Sequence, residues 1–209
     1  MNQTQMIKPG TEQGAKAPQW AGRWKLLAVL FVCAAPLLFS YLTYYVIKPT
    51  GRTNYGTLID PRQHPIPPAL GTVSLDGKPV ALDSFKGKWV MLQVGAGDCQ
   101  QACRDQLVAM RQLRLMQGKD MERVERVWLI TDNTPLDTML MRVIEGTHML
   151  RVPADALARW LPVEQGGNIA DHMYLIDPLG NLMMRFPKNA DPAKVKKDIN
   201  KLLKASAIG

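Results

Sequence analysis

Three cysteines and three histidines are all the thiol and imidazole that this 209-residue chain contains. So few cysteines exclude a disulfide-stapled scaffold, and the region after residue 68 is long enough to bury a core without one. No two cysteines stand at C-x-x-C spacing, so a thioredoxin-type redox pair in its usual form is absent. There is also no Arg/Lys-rich stripe with interleaved aromatics, and nucleic acid is therefore not an expected partner. The formal net charge of +8 does not describe one basic surface. Residues 1–48 hold five Lys and Arg against one acid, whereas residues 49–209 hold 21 against 17 acids.

Charge is missing altogether from Leu26 to Ile47, LLAVLFVCAAPLLFSYLTYYVI, a run of 22 residues. As a helix it measures about 33 Å at ~1.5 Å per residue, enough to cross the hydrocarbon layer of a bilayer. Trp20 and Trp24 flank one end and Tyr41, Tyr44 and Tyr45 the other, like the aromatic belts at headgroup depth. The run is longer than the apolar core of a signal peptide, and its exit through LTYYVIK lacks a small-residue cleavage site. An uncleaved transmembrane helix over residues 26–47 is expected. Lys8, Lys16, Arg23 and Lys25 precede it against Glu12 alone, which puts residues 1–25 in the cytoplasm and the large domain outside. In a Gram-negative bacterium that means a single-pass inner-membrane protein with a periplasmic domain.

Residues 48–68 are rich in turn formers and poor in periodicity, and read as a linker. Residues 69–209 follow as one domain. LGTVSLDGKPVAL suggests a hairpin turning at Asp76-Gly77, and Trp89–Val94 a buried strand. A helix carrying Cys103, Leu107, Met110 and Leu113 on one face comes next, with Asp98 near its start as the candidate cap. VERVWLIT is a second strand. Helical pieces are expected around 136–145 and at ARWLP, then strand, turn and strand in HMYLID-PLG-NLMMRF. Asp191 as cap and Pro192 at the first position start a last helix that turns Val195, Ile199, Leu202 and Leu203 inward. The pattern predicts an α/β fold with a mixed sheet flanked by helices.

Cys33 lies in the apolar run and reads as a small packing residue. Cys99 and Cys103 lie between the first strong strand and its helix, an edge where α/β sheets commonly carry ligands and catalytic groups. The pair can exchange electrons, hold a metal, or fill a core. A helix start favours thiolate over thiol, while Asp98 and Asp105 oppose that effect. Two thiolates are soft ligands suited to Cu(I) or Zn(II), and a third donor has to come from a histidine. His64 is in the linker, His148 lies in a segment without clear periodicity, and His172 begins a strand beside Asp171. Asp132 and Asp137 read as turn and helix-start residues. The methionines, Met110, Met139 and Met173 among them, read as flexible packing side chains.

Taken in order, CQQAC, WLITDNTPLDT and IADHMYLIDPLGNLMMRF resemble the Sco/SenC copper-delivery proteins of cytochrome c oxidase assembly, over roughly residues 66–205. The resemblance implies a membrane-anchored thioredoxin-like fold in which Cys99, Cys103 and His172 bind a copper ion. It implies as partners a cytochrome c oxidase subunit or other copper-accepting protein, and a periplasmic thiol reductant or copper donor. Gln100 and Arg104 stand where that family has proline after each cysteine, and Asn133 stands at another of its prolines. Two other functions fit the same residues. One is a thiol–disulfide oxidoreductase acting on oxidase-subunit cysteines through Cys99 and Cys103; the other is a membrane-anchored interaction protein whose site is silent.

Overall fold

A computed structural model of the chain describes residues 20–47, 53–65, 67 and 70–208. The basic tail, apart from Trp20 to Lys25, lies outside the described residues. The chain divides into two units, residues 1–51 and 52–209. The first contains helix α1 (Trp20–Leu42), which runs on into a wider π-helical turn, Thr43–Ile47. Arg23–Val46 is long and apolar enough to span a membrane, with a mean hydropathy of 2.2 and none of it buried against protein. Helix thus begins six residues before the apolar run does. Pro36 sits within α1, and Tyr41, Tyr44 and Tyr45 cluster with ring centroids 4.5 and 4.8 Å apart.

The second unit is an α/β fold around one seven-stranded mixed sheet. In chain order the strands are β1 (Thr57–Leu58), β2 (Val73–Ser74), β3 (Trp89–Gly95), β4 (Val124–Ile130), β5 (His148–Arg151), β6 (Met173–Ile176) and β7 (Leu182–Arg185). Across the sheet they run β1-β7-β6-β3-β4-β5-β2. Only β3–β4 and β4–β5 are parallel. Parallel neighbours need a crossover, and helix α2 (Gln101–Leu115) supplies it between β3 and β4. Every residue of β3 is buried, as a strand covered on both faces must be, and all but Gln93 are apolar.

Strand alternation divides the core in two. On one face Met91 and Leu175 meet Met110 and Leu113 of α2 and Val195 and Ile199 of α5 (Pro192–Ala205). On the other, Val90, Leu92, Val94, Leu129 and Tyr174 lie beneath Leu157 and Trp160 of α4 (Ala154–Trp160). The α2 face continues at its far end into a smaller cluster of Cys99, Leu107, Trp128 and Ile130. That cluster is closed by Leu140 and Ile144 at α3 (Thr138–Val143).

Several expectations are met in detail. Asp191 caps α5 by accepting from the Ala193 N–H at 2.9 Å, with Pro192 in the first turn. Asp137 caps α3 through the Met139 N–H at 2.8 Å. Gly77 turns the chain after Asp76 at φ +79°, although only Val73–Ser74 becomes strand there. Others differ. Helix α2 starts at Gln101, so Asp98 stands two residues before the N-cap; its carboxylate accepts from the Gln100 amide at 2.9 Å instead of capping. The segment around His148, read as aperiodic, is strand β5.

The expected linker is partly domain. Thr57 and Leu58 pair antiparallel with Arg185 and Met184. Asp198, buried on the apolar face of α5, accepts the N–H groups of Tyr55 and Gly56 at 2.7 and 2.9 Å. Lys201 donates to the Thr53 carbonyl at 2.6 Å and lies 3.6 Å from Asp198. Gly56 is needed there, because a Cβ would lie 2.5–2.9 Å from Met184 and Phe186.

Candidate functional site

The loop leaving β3 runs Gly95-Ala96-Gly97-Asp98 into Cys99, and α2 then brings Cys103 back over it. The two sulfurs are bonded, with S–S 2.06 Å and Cα atoms 5.3 Å apart. Cys103 is the third residue of α2, while Cys99 precedes the N-cap Gln100 with φ at +30°, a left-handed backbone unusual for a side chain with a Cβ. Cys99 is 2% exposed among Leu107, Trp128, Ile130, Leu140 and Ile144, and Cys103 is only half-buried. Of the three uses open to such a pair, the structure holds it as an intramolecular disulfide.

Two glycines let the loop fold this tightly. A Cβ on Gly95 would stand 3.2 Å from the Cys103 sulfur and 3.3 Å from the Trp128 indole nitrogen. One on Gly97 would meet the Thr134 carbonyl oxygen at 2.7 Å. The Gly97 N–H donates to Asp132 at 2.9 Å, and the same carboxylate oxygen accepts from the Thr134 N–H at 3.2 Å. Arg151 donates to the carbonyls of Asp132 and Thr134, fixing the far side of this turn. Arg104, standing where the resembled family has proline, donates from Nε to the Cys99 carbonyl at 3.0 Å and pairs with Asp137 at 2.8 Å. A side-chain clamp thus stands where ring stiffness is missing.

Burial works against the Asp132 charge, but the Gly97 and Thr134 N–H groups and Arg151 outweigh it and hold the carboxyl below its ordinary range. A carboxyl depressed in the folded chain, and near ~3.9 once unfolded, stabilises fully above about pH 5 and ceases to do so as pH falls through its folded value. Replacing Asp132 by Ala is expected to cost about 1.5–3 kcal/mol at pH 7, the range for hydrogen bonds to a charged group. Urea unfolding should show that difference shrinking as the pH is taken below 4.

His172 is 1% exposed and sits one residue before β6 with extended backbone. Its Nδ1 lies 3.0 Å from the Phe186 carbonyl oxygen. A carbonyl only accepts, so Nδ1 carries the proton and Nε2 is left with its lone pair. Nε2 has no partner and faces Gly167, whose Cβ would stand 3.3 Å away. By alternation His172 shares the face of Tyr174, whose hydroxyl donates to the Pro162 carbonyl at 3.0 Å. The Cys99–Cys103 bridge packs with Trp128 and Ile130 on the other face. No group of three or more His, Cys, Asp or Glu that could hold a metal is found among the described residues, so Cys99, Cys103 and His172 are not gathered into one here.

Asp171 is bonded elsewhere than to the imidazole. It pairs with Lys188 at 2.9 Å, which holds its carboxyl low, and accepts the Asn168 N–H at 3.1 Å in a capping box. The other histidines are engaged elsewhere, His64 near the Trp160 carbonyl at 3.1 Å and His148 beside Glu125 at 3.4 Å. Sequence reasoning did not single out Trp128 or Gln93, which are paired in the β3–β4 register and fully buried. The Gln93 amide donates to the carbonyls of Val94 and Ala170 at 3.0 and 3.2 Å. A glutamine interrupting WVMLQVG was the available signal, since a polar side chain inside a doubly covered strand needs a reason.

A family model described as a transmembrane-like, thioredoxin-like C-terminal domain matches residues 89–206, more than half of the chain. No curated protein matches it in sequence. Among solved structures it is similar to yeast Sco1, at 14% identity over 75% of this chain and 99% of that one, with a TM-score of 0.52. It is similar to copper-bound ScoI of Arabidopsis thaliana, at 20% identity over 63% and 93%, with a TM-score of 0.47. The thioredoxin domain of a thiol-disulfide oxidoreductase from Bacteroides vulgatus matches with the same identity, coverages and TM-score. The resemblance to Sco proteins thus returns at the level of the thioredoxin-like fold.

Proposed function

The chain belongs to the family of that transmembrane-like, thioredoxin-like C-terminal domain, and from that premise we propose that it is a membrane-anchored copper-handling protein whose dithiol is gated by oxidation. The observation that carries this reading is the Cys99–Cys103 bridge at the exit of β3. Reduced, the pair offers two soft thiolates, which select Cu(I). Oxidised, it offers none, so the redox state decides whether copper is held. Copper here is cargo, passed on when a recipient's sulfur or nitrogen replaces one donor at a time. A cytochrome c oxidase subunit is the recipient and a periplasmic thiol reductant the source of electrons. The domain faces outward from a single-pass anchor, and the sequence resemblance to the Sco/SenC proteins supports these assignments.

His172 is the third donor in this reading. Its Nδ1–H bond to the Phe186 carbonyl presents Nε2 as a ready ligand. The oxidised pair offers it no companion thiolates, so reduction completes the donor set. The bridged state of the pair favours a second reading, a thiol–disulfide oxidoreductase acting on oxidase-subunit cysteines.

Anaerobic Cu(I) titration of the reduced full chain in detergent, against a chromogenic chelator, separates the two. One ion per chain is expected. His172→Ala should weaken it by about 100–1,000-fold, the loss of one donor of the set, while leaving reduction of oxidised glutathione unchanged. Equal affinity in parent and variant removes His172 from the site. No binding in either leaves the oxidoreductase reading.

A further inference from the structure

Arg126 is a charged residue of the central strand β4 and is only 4% exposed. One end of its guanidinium is fixed. Nη2 donates to the Glu145 carbonyl at 2.7 Å, and Gly146 leaves it room, since a Cβ there would lie 3.0 Å from that nitrogen. Nε and Nη1 are buried and have no partner among the described residues. The acid that acts on this charge is Glu125, the next residue along the strand, which lies 3.4 Å from His148 and by alternation faces the other side of the sheet. Val127 and His148 are register partners in parallel β4 and β5, so the residues just before them, Arg126 and Thr147, are neighbours on one face. Thr147 is 7% exposed, and its hydroxyl is also buried without a partner.

The surrounding charges add to the cost. Burial, and after it Arg114 and Arg111, push the Arg126 pKa below the ordinary arginine range. Arg114 is occupied, donating to the Val124 carbonyl at 2.7 Å and pairing with Glu122 at 3.3 Å. Arg111 is half-buried and bonded to no side chain among the described residues. A charge taken out of water needs a countercharge, and buried donors need acceptors. An oxyanion supplies both at once. Two guanidinia and a hydroxyl suit a tetrahedral phosphate, whose oxygens point several ways, better than a planar carboxylate, which a single guanidinium satisfies.

We propose that Arg126, with Arg111 and the Thr147 hydroxyl, forms a binding site for a small oxyanion of the phosphate class. Arg126 donates from Nε and Nη1, and Arg111 closes the site from the solvent side. So enclosed a guanidinium takes a small free anion and not a phosphate carried on a bulky headgroup. The site is independent of the cysteine pair and of the function read from it.

The test is thermal unfolding of the full chain in detergent, with inorganic phosphate replacing chloride at constant ionic strength and phosphate affinity measured by calorimetry. At phosphate a hundredfold above its Kd, the melting temperature is expected to stand about 5–10 °C above its value in chloride. Arg126→Met, which fills the same space with an unbranched apolar chain, should abolish the shift. Arg111→Gln should weaken phosphate binding by about 10–100-fold, the loss of one charge-assisted hydrogen bond. Position 111 is half-buried, so this variant decides the matter even if Arg126→Met does not fold. A parent without a shift, or an Arg111→Gln chain that binds phosphate as the parent does, overturns the proposal. A folded Arg126→Met chain that keeps the parent's shift means an adventitious ion only, and overturns it too. Acetate that matches phosphate in the parent overturns the phosphate class.

Discussion

Reduced chains carrying Cys99→Ser or Cys103→Ser are expected to bind Cu(I) roughly a hundred- to a thousandfold more weakly than the parent. Four-ligand structural zinc sites bind with ~10–16 kcal/mol, which puts about 2.5–4 kcal/mol on each donor. At ~1.4 kcal/mol per tenfold, losing one thiolate amounts to about 10²–10³. Serine nearly keeps the size of cysteine but offers a hard, protonated oxygen in place of a soft thiolate. The chelator competition that measures the parent reads this directly. The same substitutions remove one partner of the disulfide, so a complete exchange cycle with a client is lost in both. If the site is silent, each serine chain performs as the parent does in any assay of the intact protein, provided it folds.

Replacing Asp198 by Ala is expected to destabilise the domain by about 3 kcal/mol. Its carboxylate is 2% exposed and is the acceptor for the Tyr55 and Gly56 N–H groups. Truncation orphans two backbone donors, each carrying a penalty of about 1–3 kcal/mol, and water entering the gap recovers part of it. For a domain of this size ~1 kcal/mol moves the melting temperature by about 2–4 °C, so a drop of roughly 6–12 °C should follow. Asp198→Asn keeps one acceptor oxygen and should lose less than half as much. Hydrogen exchange gives the location. The Ile59 amide, bonded to the Met183 carbonyl at 2.8 Å, should lose protection before any amide of β3 does. Uniform loss across the sheet would mean that Asp198 supports the whole core and not the entering segment.

What could be read from the residues depended on how local the cause was. β3 is written in its own composition, and α5 in its own cap, proline and apolar stripe. The cysteine pair was legible for the same reason, since strand, glycines, spacing and helix are contiguous. β1 and β5 were not. Thr57–Leu58 is strand only because β7, more than 120 residues later, offers a partner, and His148–Arg151 only because β4 and β2 flank it. The role of Asp198 could not be read locally, because its two donors come from a segment that reads as a linker. The surroundings of His172 were not local either, because its Nδ1 partner, the Phe186 carbonyl, lies 14 residues later beyond the β6–β7 turn. Trp128 was hidden because its place beside Gln93, in the cluster with Cys99, comes from the β3–β4 alignment.

The outermost strands, β1 and β2, are only two residues long, and each lies at one border of the sheet. A rim that short gives a neighbour almost no unpaired ladder to extend, which is how native sheets avoid joining edge to edge. The helix before this domain is long and apolar enough to span a bilayer, and an anchored domain would depend on this more than one in free solution. Confinement to a plane would raise the local concentration of identical copies, which would meet again and again. Truncated borders keep such encounters from growing into continuous intermolecular sheet.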